Sequence, residues 1–550
     1  MVSNVTGRRA LPLSDFLKRS GDKATPITLI VGGVGVAAIF LGTRAPGSLS
    51  AIAPALIVIG LALIAACVRN WEFGVKTILV VVILEGAVRK WFLPSASELV
   101  YFYKDVLMVA TLFGYFRKRR KTPFVIKRRL RFLLITIAVF LLYGVIAVGL
   151  PAEVHPLIGL LGLKAYCFYI PLAFITVRAF PDKERLIGFL KWYAVIVLPV
   201  AVIGVIQFLE SDQQSTLNRY AVGEESASRV VGIAKFSTAS GDYFVRITGT
   251  FSYVTGLSVY LPIMFAILLA MTSLYAKRGG LSRGSKILYY SSLAATVVTG
   301  FMTGSRGAVL SMILIAVVFY SFTSGKQAIR RMQQIALIGV ITFVAFTSIF
   351  PQVYDAFYNR TFGGEDRVNE GWQRIAGSLK LPINEASYAG LFGYGIGLTQ
   401  NGVPALMKRL DIPEEASPIP IGYEGEPGRV MLELGVIGFV LYTMLRLVLL
   451  LTVFRISFSI RDRESRFLAF AAAAALVMPL MVGGAVSNHT QNVFQWFLVG
   501  VVFALYNAER LQIRAKRNVE FRIANVESKT AIHNPQSPIR NSQFEIQNSQ

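Results

Sequence analysis

Residues 287–322 read ILYYSSLAATVVTGFM, TGSRG and AVLSMILIAVVFYSF: two apolar runs separated by a short polar link at 303–307. Each run is typical of a membrane-crossing helix, and so short a link predicts that the two helices form a hairpin. Arg306 then lies at the tip of the hairpin or just inside the membrane edge. An arginine near hydrocarbon costs about 2.5–3.5 kcal/mol on insertion scales, so Arg306 is a candidate functional residue.

The composition of the whole chain agrees with this hairpin. The chain has 550 residues, of which 54% are hydrophobic and 16% charged, and its mean hydropathy is +0.56. Repeated long apolar runs without strict alternation predict an all-α polytopic integral membrane protein and exclude a transmembrane barrel. The net charge of +25 comes from 56 basic and 31 acidic residues. The basic residues lie mostly in links between spans, where the positive-inside rule places them, so no nucleic-acid partner is predicted.

The cysteines and histidines do not form a recognisable cofactor pattern. Cys67 and Cys167 both fall inside apolar runs, so the sequence predicts no disulfide framework. His155, His489 and His533 are dispersed along the chain. We therefore expect neither a metal nor a bound cofactor.

Windowing along the chain predicts roughly fourteen spans with both ends in the cytoplasm. They are 27–42, 50–68, 77–88, 99–116, 132–150, 157–177, 192–209, 251–275, 287–302, 308–322, 335–350, 428–454, 467–485 and 493–506. The regions are a cytoplasmic tail (1–26), an N-terminal bundle (27–209), an external loop (210–250), the spans around the Arg306 hairpin (251–350), a large periplasmic loop (351–427), the C-terminal spans (428–506) and a disordered cytoplasmic tail (507–550).

Several basic residues break the charge rule because they fall on the predicted outer side. They are Arg89, Lys90, Arg246, Arg306, Arg367, Arg374 and Arg429. Some of them adjoin glycines that allow close backbone approach. Arginine suits phosphate because its planar fork donates two parallel charge-assisted hydrogen bonds. Arginines gathered just outside a membrane therefore suggest a lipid-linked pyrophosphate.

Four segments in order resemble the superfamily of O-antigen ligases and Wzy-type polymerases of bacterial envelopes. They are Arg246-Ile-Thr-Gly-Thr-Phe251, Thr303-Gly-Ser-Arg-Gly-Ala308, the stretch from Arg367 to Gly393-Tyr-Gly-Ile-Gly397, and Glu433-Leu-Gly-Val-Ile-Gly438. The resemblance implies a metal-independent glycosyltransferase that uses polyprenyl-pyrophosphate-linked glycans on the periplasmic face of the bacterial inner membrane.

The chain departs from the ligases of this family at one position. Where they carry a proposed histidine base nine residues before the Glu-Leu-Gly turn, this chain has Glu424. A carboxylate can also take a proton from a sugar hydroxyl, so Glu424 is the candidate base and a polymerase is favoured over a ligase. Alternatively, Glu424 or Glu426 pairs with Arg429 or caps the following helix, Glu433 is a buried structural partner, and His489 is a rival base.

A further segment, Glu85-Gly-Ala-Val-Arg-Lys-Trp91 with Lys104-Asp105, resembles exopolysaccharide-associated members of the superfamily. Lys104 and Asp105 lie within a span, which also fits an ion pair between the two inside the membrane. Lys164, in another span, has no obvious partner nearby in the sequence.

We therefore predict a polymerase of a surface polysaccharide, with Arg306 and Glu424 as catalytic residues. The other external basic residues would bind the pyrophosphate or glycan. The expected partners are the lipid-linked oligosaccharide, membrane lipid, and a chain-length regulator or export machinery. The alternatives are ligase-type transfer to another acceptor, a lipid-oligosaccharide flippase, and a non-catalytic member of an envelope assembly.

Overall fold

The computed structural model describes residues 49–118, 124–149, 155–212, 215–221, 234–238, 240–241, 243–278, 283–323, 350–362, 380–400, 402–419, 423 and 425–533, with a few single positions between them. The described chain is almost entirely helical. Its α-helices are α1 (Leu49–Arg69), α2 (Trp71–Ala87), α3 (Ser97–Arg117), α4 (Arg131–Ala147), α5 (Pro156–Cys167), α6 (Ile170–Ala179), α7 (Lys183–Val195), α8 (Val197–Glu210), α9 (Val254–Arg278), α10 (Arg283–Met302), α11 (Arg306–Thr323), α12 (Pro351–Phe362), α13 (Val403–Arg409), α14 (Glu426–Ser459), α15 (Arg463–Val482) and α16 (His489–His533).

Six helical stretches of the described chain are long and apolar enough to cross a membrane: Pro94–Arg117, Lys183–Glu210, Val254–Leu274, Arg306–Thr323, Glu426–Ser459 and Arg463–Val482. A seventh span results if α5 and α6, which are bent by 42° relative to each other, cross together. The predicted class, an all-α membrane protein, is confirmed. The figure of fourteen spans stays a prediction, since span 27–42 and most of 335–350 lie outside the described residues.

The Arg306 hairpin forms as predicted, with α11 beginning two residues earlier than the apolar run. Gly304 has φ +62°, in the left-handed region that glycine adopts without strain. The Thr303 hydroxyl donates to the carbonyl of Gly300 at 2.7 Å and accepts from the backbone N–H of Ser305 at 3.1 Å. The turn is therefore closed by its own side chain.

Links predicted to lie on the cytoplasmic side contact one another. The Lys183 ammonium lies 3.1 Å from the Asp462 carboxylate, which joins the link before α7 to the link before α15. The backbone N–H of Val125 donates to the side chain of Asn507 at 2.9 Å. These contacts agree with the predicted sidedness of the links, while the assignment of that end to the cytoplasm stays a prediction.

Two regions differ from their predicted character. The tail predicted to be disordered from residue 507 is instead helical to His533, because Asn507–His533 contains no glycine or proline and continues α16 without a break. Residues 534–550 lie outside the described chain. The loop 210–250, predicted to be external, contains a small antiparallel hairpin of β1 (Lys235–Ser237) and β2 (Tyr243–Val245).

A short π-helix, Val88–Phe92, continues α2 beyond the end of the predicted span 77–88. Trp91 and Phe92 pack there in an apolar cluster with Ala87 and Ile203. Arg89 and Lys90 are therefore not on an exposed link: they are buried at the end of a helix.

Candidate functional site

Three segments that are far apart in the sequence meet at one place, which we call the arginine junction: residues 88–92, 246–252 and 303–307. The Nε of Arg246 donates to the carbonyl of Thr303 at 2.9 Å. The side chain of Arg246 also passes beside Gly304, where an added Cβ would lie 3.4 Å from its Nε. Two of the motifs that carry the family resemblance are thus in direct contact.

Arg306 lies at the first residue of α11 and is partly exposed, as is Arg246. The hydroxyl of Ser305 accepts from the backbone N–H of Ala308 at 3.4 Å, as a helix cap does. The first turn of a helix presents N–H groups and the positive end of its dipole, both of which favour an anion. Two arginines and a helix start therefore combine in the arginine junction.

Lys90 holds this junction together from inside the protein. Its side chain is fully buried, and its ammonium donates to the Thr248 hydroxyl and to the carbonyl of Gly249, each at 2.8 Å. The ammonium also lies 4.4 Å from the centre of the Trp91 ring. Lys90 thus fixes the backbone next to Arg246.

Arg89 is also enclosed, with an exposure of 5%. Its Nε donates to the carbonyl and hydroxyl of Ser97, at 3.1 and 3.0 Å, and its Nη1 donates to the Ser252 hydroxyl at 2.9 Å. Gly86, one turn earlier, touches the backbone of Phe251, and a Cβ there would lie 2.2 Å from its carbonyl carbon. The end of α2 and the segment 246–252 are therefore tightly joined.

A network of buried charges lies next to Arg89 within the helices. The Lys104 ammonium lies 2.7 Å from the Glu85 carboxylate, and the Lys164 ammonium lies 2.6 Å from the Asp105 carboxylate. The pairing predicted between Lys104 and Asp105 is thus replaced by pairs with other helices. Successive residues on a helix point in directions about 100° apart, so Lys104 and Asp105 face different neighbours.

The ring of Tyr101 stands at the centre of this network. The cations of Arg89, Lys104 and Lys164 lie 5.1, 4.3 and 4.8 Å from its centre. His489, at the start of α16, contacts the same ring edge to face at 5.2 Å. The rival base His489 therefore belongs to the charge network.

A second junction joins the other two motifs, and we call it the glycine junction: residues 390–400 and 432–438. The backbone N–H groups of Tyr394 and Gly395 donate to the carbonyls of Leu432 and Glu433 at 2.9 and 3.0 Å. At this point α14 is broken by Gly435, with φ +66° and ψ −173°. The loop 390–400 therefore supplies hydrogen bonds to carbonyls that lost their helical partners at the break. A helix in hydrocarbon needs such partners because no water is there to replace them.

The Glu433 carboxylate locks the glycine junction and is fully buried. It accepts from the backbone N–H of Thr399 at 2.9 Å, from the Thr399 hydroxyl at 2.6 Å, and from the Tyr166 hydroxyl at 2.8 Å. The interpretation of Glu433 as a buried structural partner is confirmed.

The Glu426 carboxylate is also fully hydrogen-bonded, and it forms an ion pair with Arg446. Its carboxylate accepts from Arg446 at 3.0 Å, from the Tyr442 hydroxyl at 2.9 Å, and from the backbone N–H groups of Gly484 and Val486 at 2.7 Å each. The alternative in which Glu426 pairs with Arg429 is therefore wrong. Arg429 is 3% exposed and donates from Nη2 to the carbonyl of Tyr423 at 2.7 Å.

Three predicted site residues, Glu424, Arg367 and Arg374, lie outside the described residues. Within the described ranges, no group of three or more histidine, cysteine, aspartate and glutamate side chains gathers in a way that could hold a metal. The charge network was the feature that sequence reasoning undervalued. Its signal was present as ionisable residues inside predicted spans.

No protein-family model matches the chain, and no curated protein is significantly similar to it. The resemblance to the ligase and polymerase superfamily therefore depends on the motifs themselves and on their placement in the fold.

Proposed function

We propose that the protein polymerises a bacterial surface polysaccharide (an exopolysaccharide, capsule or O-antigen) on the periplasmic face of the inner membrane. Its donor is a glycan linked to polyprenyl pyrophosphate, and its acceptor is a sugar hydroxyl of another lipid-linked unit. Ligase-type transfer to a different acceptor uses the same chemistry and is the nearest alternative.

One observation supports this proposal above the others: the convergence of residues 88–92, 246–252 and 303–307 in the arginine junction. Arg246 contacts the turn that carries Arg306, and both arginines are partly exposed. Two guanidinium groups and the N-terminus of α11 could donate hydrogen bonds to a pyrophosphate at this junction. A low-dielectric surrounding strengthens such contacts.

In the proposed reaction, the acceptor hydroxyl oxygen attacks the anomeric carbon of the donor sugar. The bond between that carbon and the phosphate oxygen breaks, and polyprenyl pyrophosphate leaves with the bonding electrons. Arg306 and Arg246, with Arg367 and Arg374, stabilise the charge that builds on the leaving group. Glu424 takes the acceptor proton, and the part of segment 351–427 that lies outside the glycine junction acts as a lid that excludes water. Arg89 and Lys90 support this arrangement from inside.

The length distribution of the glycan in cells tests the proposal. We expect Arg306→Ala to reduce polymer synthesis by about 10²–10³-fold, as the loss of a charge-stabilising donor does in other enzymes. Arg306→Lys retains the charge without the planar fork and should retain part of the activity. Arg185→Ala, at an exposed arginine paired with Asp182, is the control. Wild-type glycan ladders from both Arg306→Ala and Glu424→Gln would refute the mechanism.

The charge network favours a second candidate, a lipid-oligosaccharide flippase. Buried ionisable residues inside spans are common in transport pathways, and Lys104 lies roughly 10 Å along α3 from its start. A reconstituted assay with a lipid-linked repeat unit separates the two functions. High-mass glycan supports the polymerase, whereas translocated but unextended lipid supports the flippase.

A further inference from the structure

The first turn of α14 contains a buried cation, Arg429, that pairs with no carboxylate among the described residues. Arg429 is the fourth residue of the helix and is 3% exposed. Its Nη2 donates to the Tyr423 carbonyl at 2.7 Å, so the guanidinium folds back over the start of the helix. Its Nε and Nη1 are buried and, among the described residues, have no hydrogen-bond partner.

The two carboxylates described near this turn, those of Glu426 and Glu385, bind other partners. Glu426, in the same turn, is taken up by Arg446, Tyr442 and two backbone N–H groups. The Tyr423 hydroxyl donates a hydrogen bond to the Glu385 carboxylate at 2.7 Å. Burial and that carboxylate raise the pKa of the Tyr423 phenol well above its ordinary value. Tyr423 therefore stays a neutral donor to Glu385.

The position of Arg429 adds to the cost of its charge. The start of a helix carries the positive end of the helix dipole, which disfavours a cation and favours an anion. The N-cap residue, Gly425, has no side chain that could cap the first turn. A buried, incompletely bonded guanidinium at such a place is unfavourable unless an anion completes it.

We propose that Arg429 and the first turn of α14 form a binding site for one oxyanion, a carboxylate or phosphate group of the substrate. This inference rests on the proposed function, and Arg429 is not one of the residues that form the arginine junction. Two donors of the guanidinium, Nε and Nη1, match the two oxygens of such a group. The source of the oxyanion is either an acidic sugar in the glycan or the pyrophosphate of a lipid-linked unit.

Binding to the purified full-length protein in nanodiscs tests the site, with sodium glucuronate and farnesyl diphosphate as separate probes. We expect Arg429→Met to weaken binding of one probe by about tenfold or more, the loss expected for charge-assisted hydrogen bonds. Weaker binding of glucuronate assigns the site to an acidic sugar, and weaker binding of farnesyl diphosphate assigns it to a pyrophosphate. Unchanged affinity for both probes overturns the proposal.

Thermal unfolding without ligand provides an independent readout, with Arg446→Met as the matched variant in the same helix. Arg446 is bound to Glu426, so its loss leaves a buried carboxylate unpaired and should lower the unfolding temperature. Arg429→Met removes a charge that has no counter-charge among the described residues and should leave the unfolding temperature equal or higher. A decrease as large as that of Arg446→Met would mean that Arg429 has a structural partner, and would also overturn the proposal. Neither measurement involves glycan transfer, so failure here leaves the Arg306 test intact.

Discussion

The arginine junction and the glycine junction both contain motifs that resemble the ligase and polymerase superfamily. They differ in how far their polar side chains are buried and hydrogen-bonded. In the glycine junction, Glu433 is fully buried and accepts three hydrogen bonds. In the arginine junction, Arg246 and Arg306 remain partly exposed. A polar group that is enclosed and saturated stabilises a fold, whereas one that keeps an accessible face can bind something else. The difference separates a structural joint from a candidate binding site.

The largest expected effect is at Gly435. An added Cβ would lie 2.4 Å from the backbone nitrogen of Gly393, and the residue has a positive φ. Because the neighbouring atoms are backbone and cannot move aside, we expect Gly435→Ala to abolish folded protein in the membrane. Gly188→Ala, where nothing lies within 4 Å of the new Cβ, is the control and should be produced normally. Fluorescence-detected size-exclusion chromatography measures both, and normal recovery of Gly435→Ala would contradict the close packing.

A smaller loss is expected at Glu433. Glu433→Ala leaves the donors of Thr399 and Tyr166 buried without their acceptor, which should cost about 3 kcal/mol or more. Glu98→Ala removes an exposed carboxylate that pairs with Arg409 and should change stability by about 0–1 kcal/mol. Thermal unfolding in detergent compares them, and equal stability of the two variants would argue against a structural lock.

At Lys90 we expect a smaller loss of stability than at Gly435 or Glu433 and a distinct change in activity. If Lys90 only positions the segment that carries Arg246, Lys90→Met should lower kcat by roughly tenfold to a hundredfold while the protein stays folded. If Lys90 instead binds the substrate, as the sequence suggested, KM for the lipid-linked donor should rise with kcat unchanged. Steady-state kinetics on the reconstituted enzyme distinguish the two roles.

The sequence predicted the elements of this protein better than it predicted their contacts. The hairpin around Arg306 follows from two long apolar runs and a glycine-containing link, and its helices begin and end close to the predicted positions. The partners of Lys104 and Asp105 could not be predicted, because each lies on another helix. The break of α14 at Gly435 was also hidden, since the apolar pattern of a span continues through it.

The candidate site was predicted only in part, again because contacts between distant segments cannot be read from the sequence. Sequence reasoning placed Arg246 and Arg306 on one side of the membrane, and their segments are in contact. It also placed Arg89 and Lys90 in an external link, because the hydropathy of the sequence does not reveal that a π-helix buries them. Whether the junction binds a pyrophosphate stays a prediction.

The broken helix α14 bears on how the protein is made. A span whose carbonyls at Leu432 and Glu433 are completed only by Tyr394 and Gly395 is not self-sufficient when it leaves the translocon. The loop is synthesised before α14, so we expect it to wait outside the membrane and to dock as the helix enters. Assembly of this part of the protein would then be a late, paired step of biogenesis. We expect a chimera in which the loop 390–400 is replaced by an unrelated sequence, while α14 is kept, to fail at this docking step. Pulse-chase proteolysis would then show a long-lived protease-sensitive form.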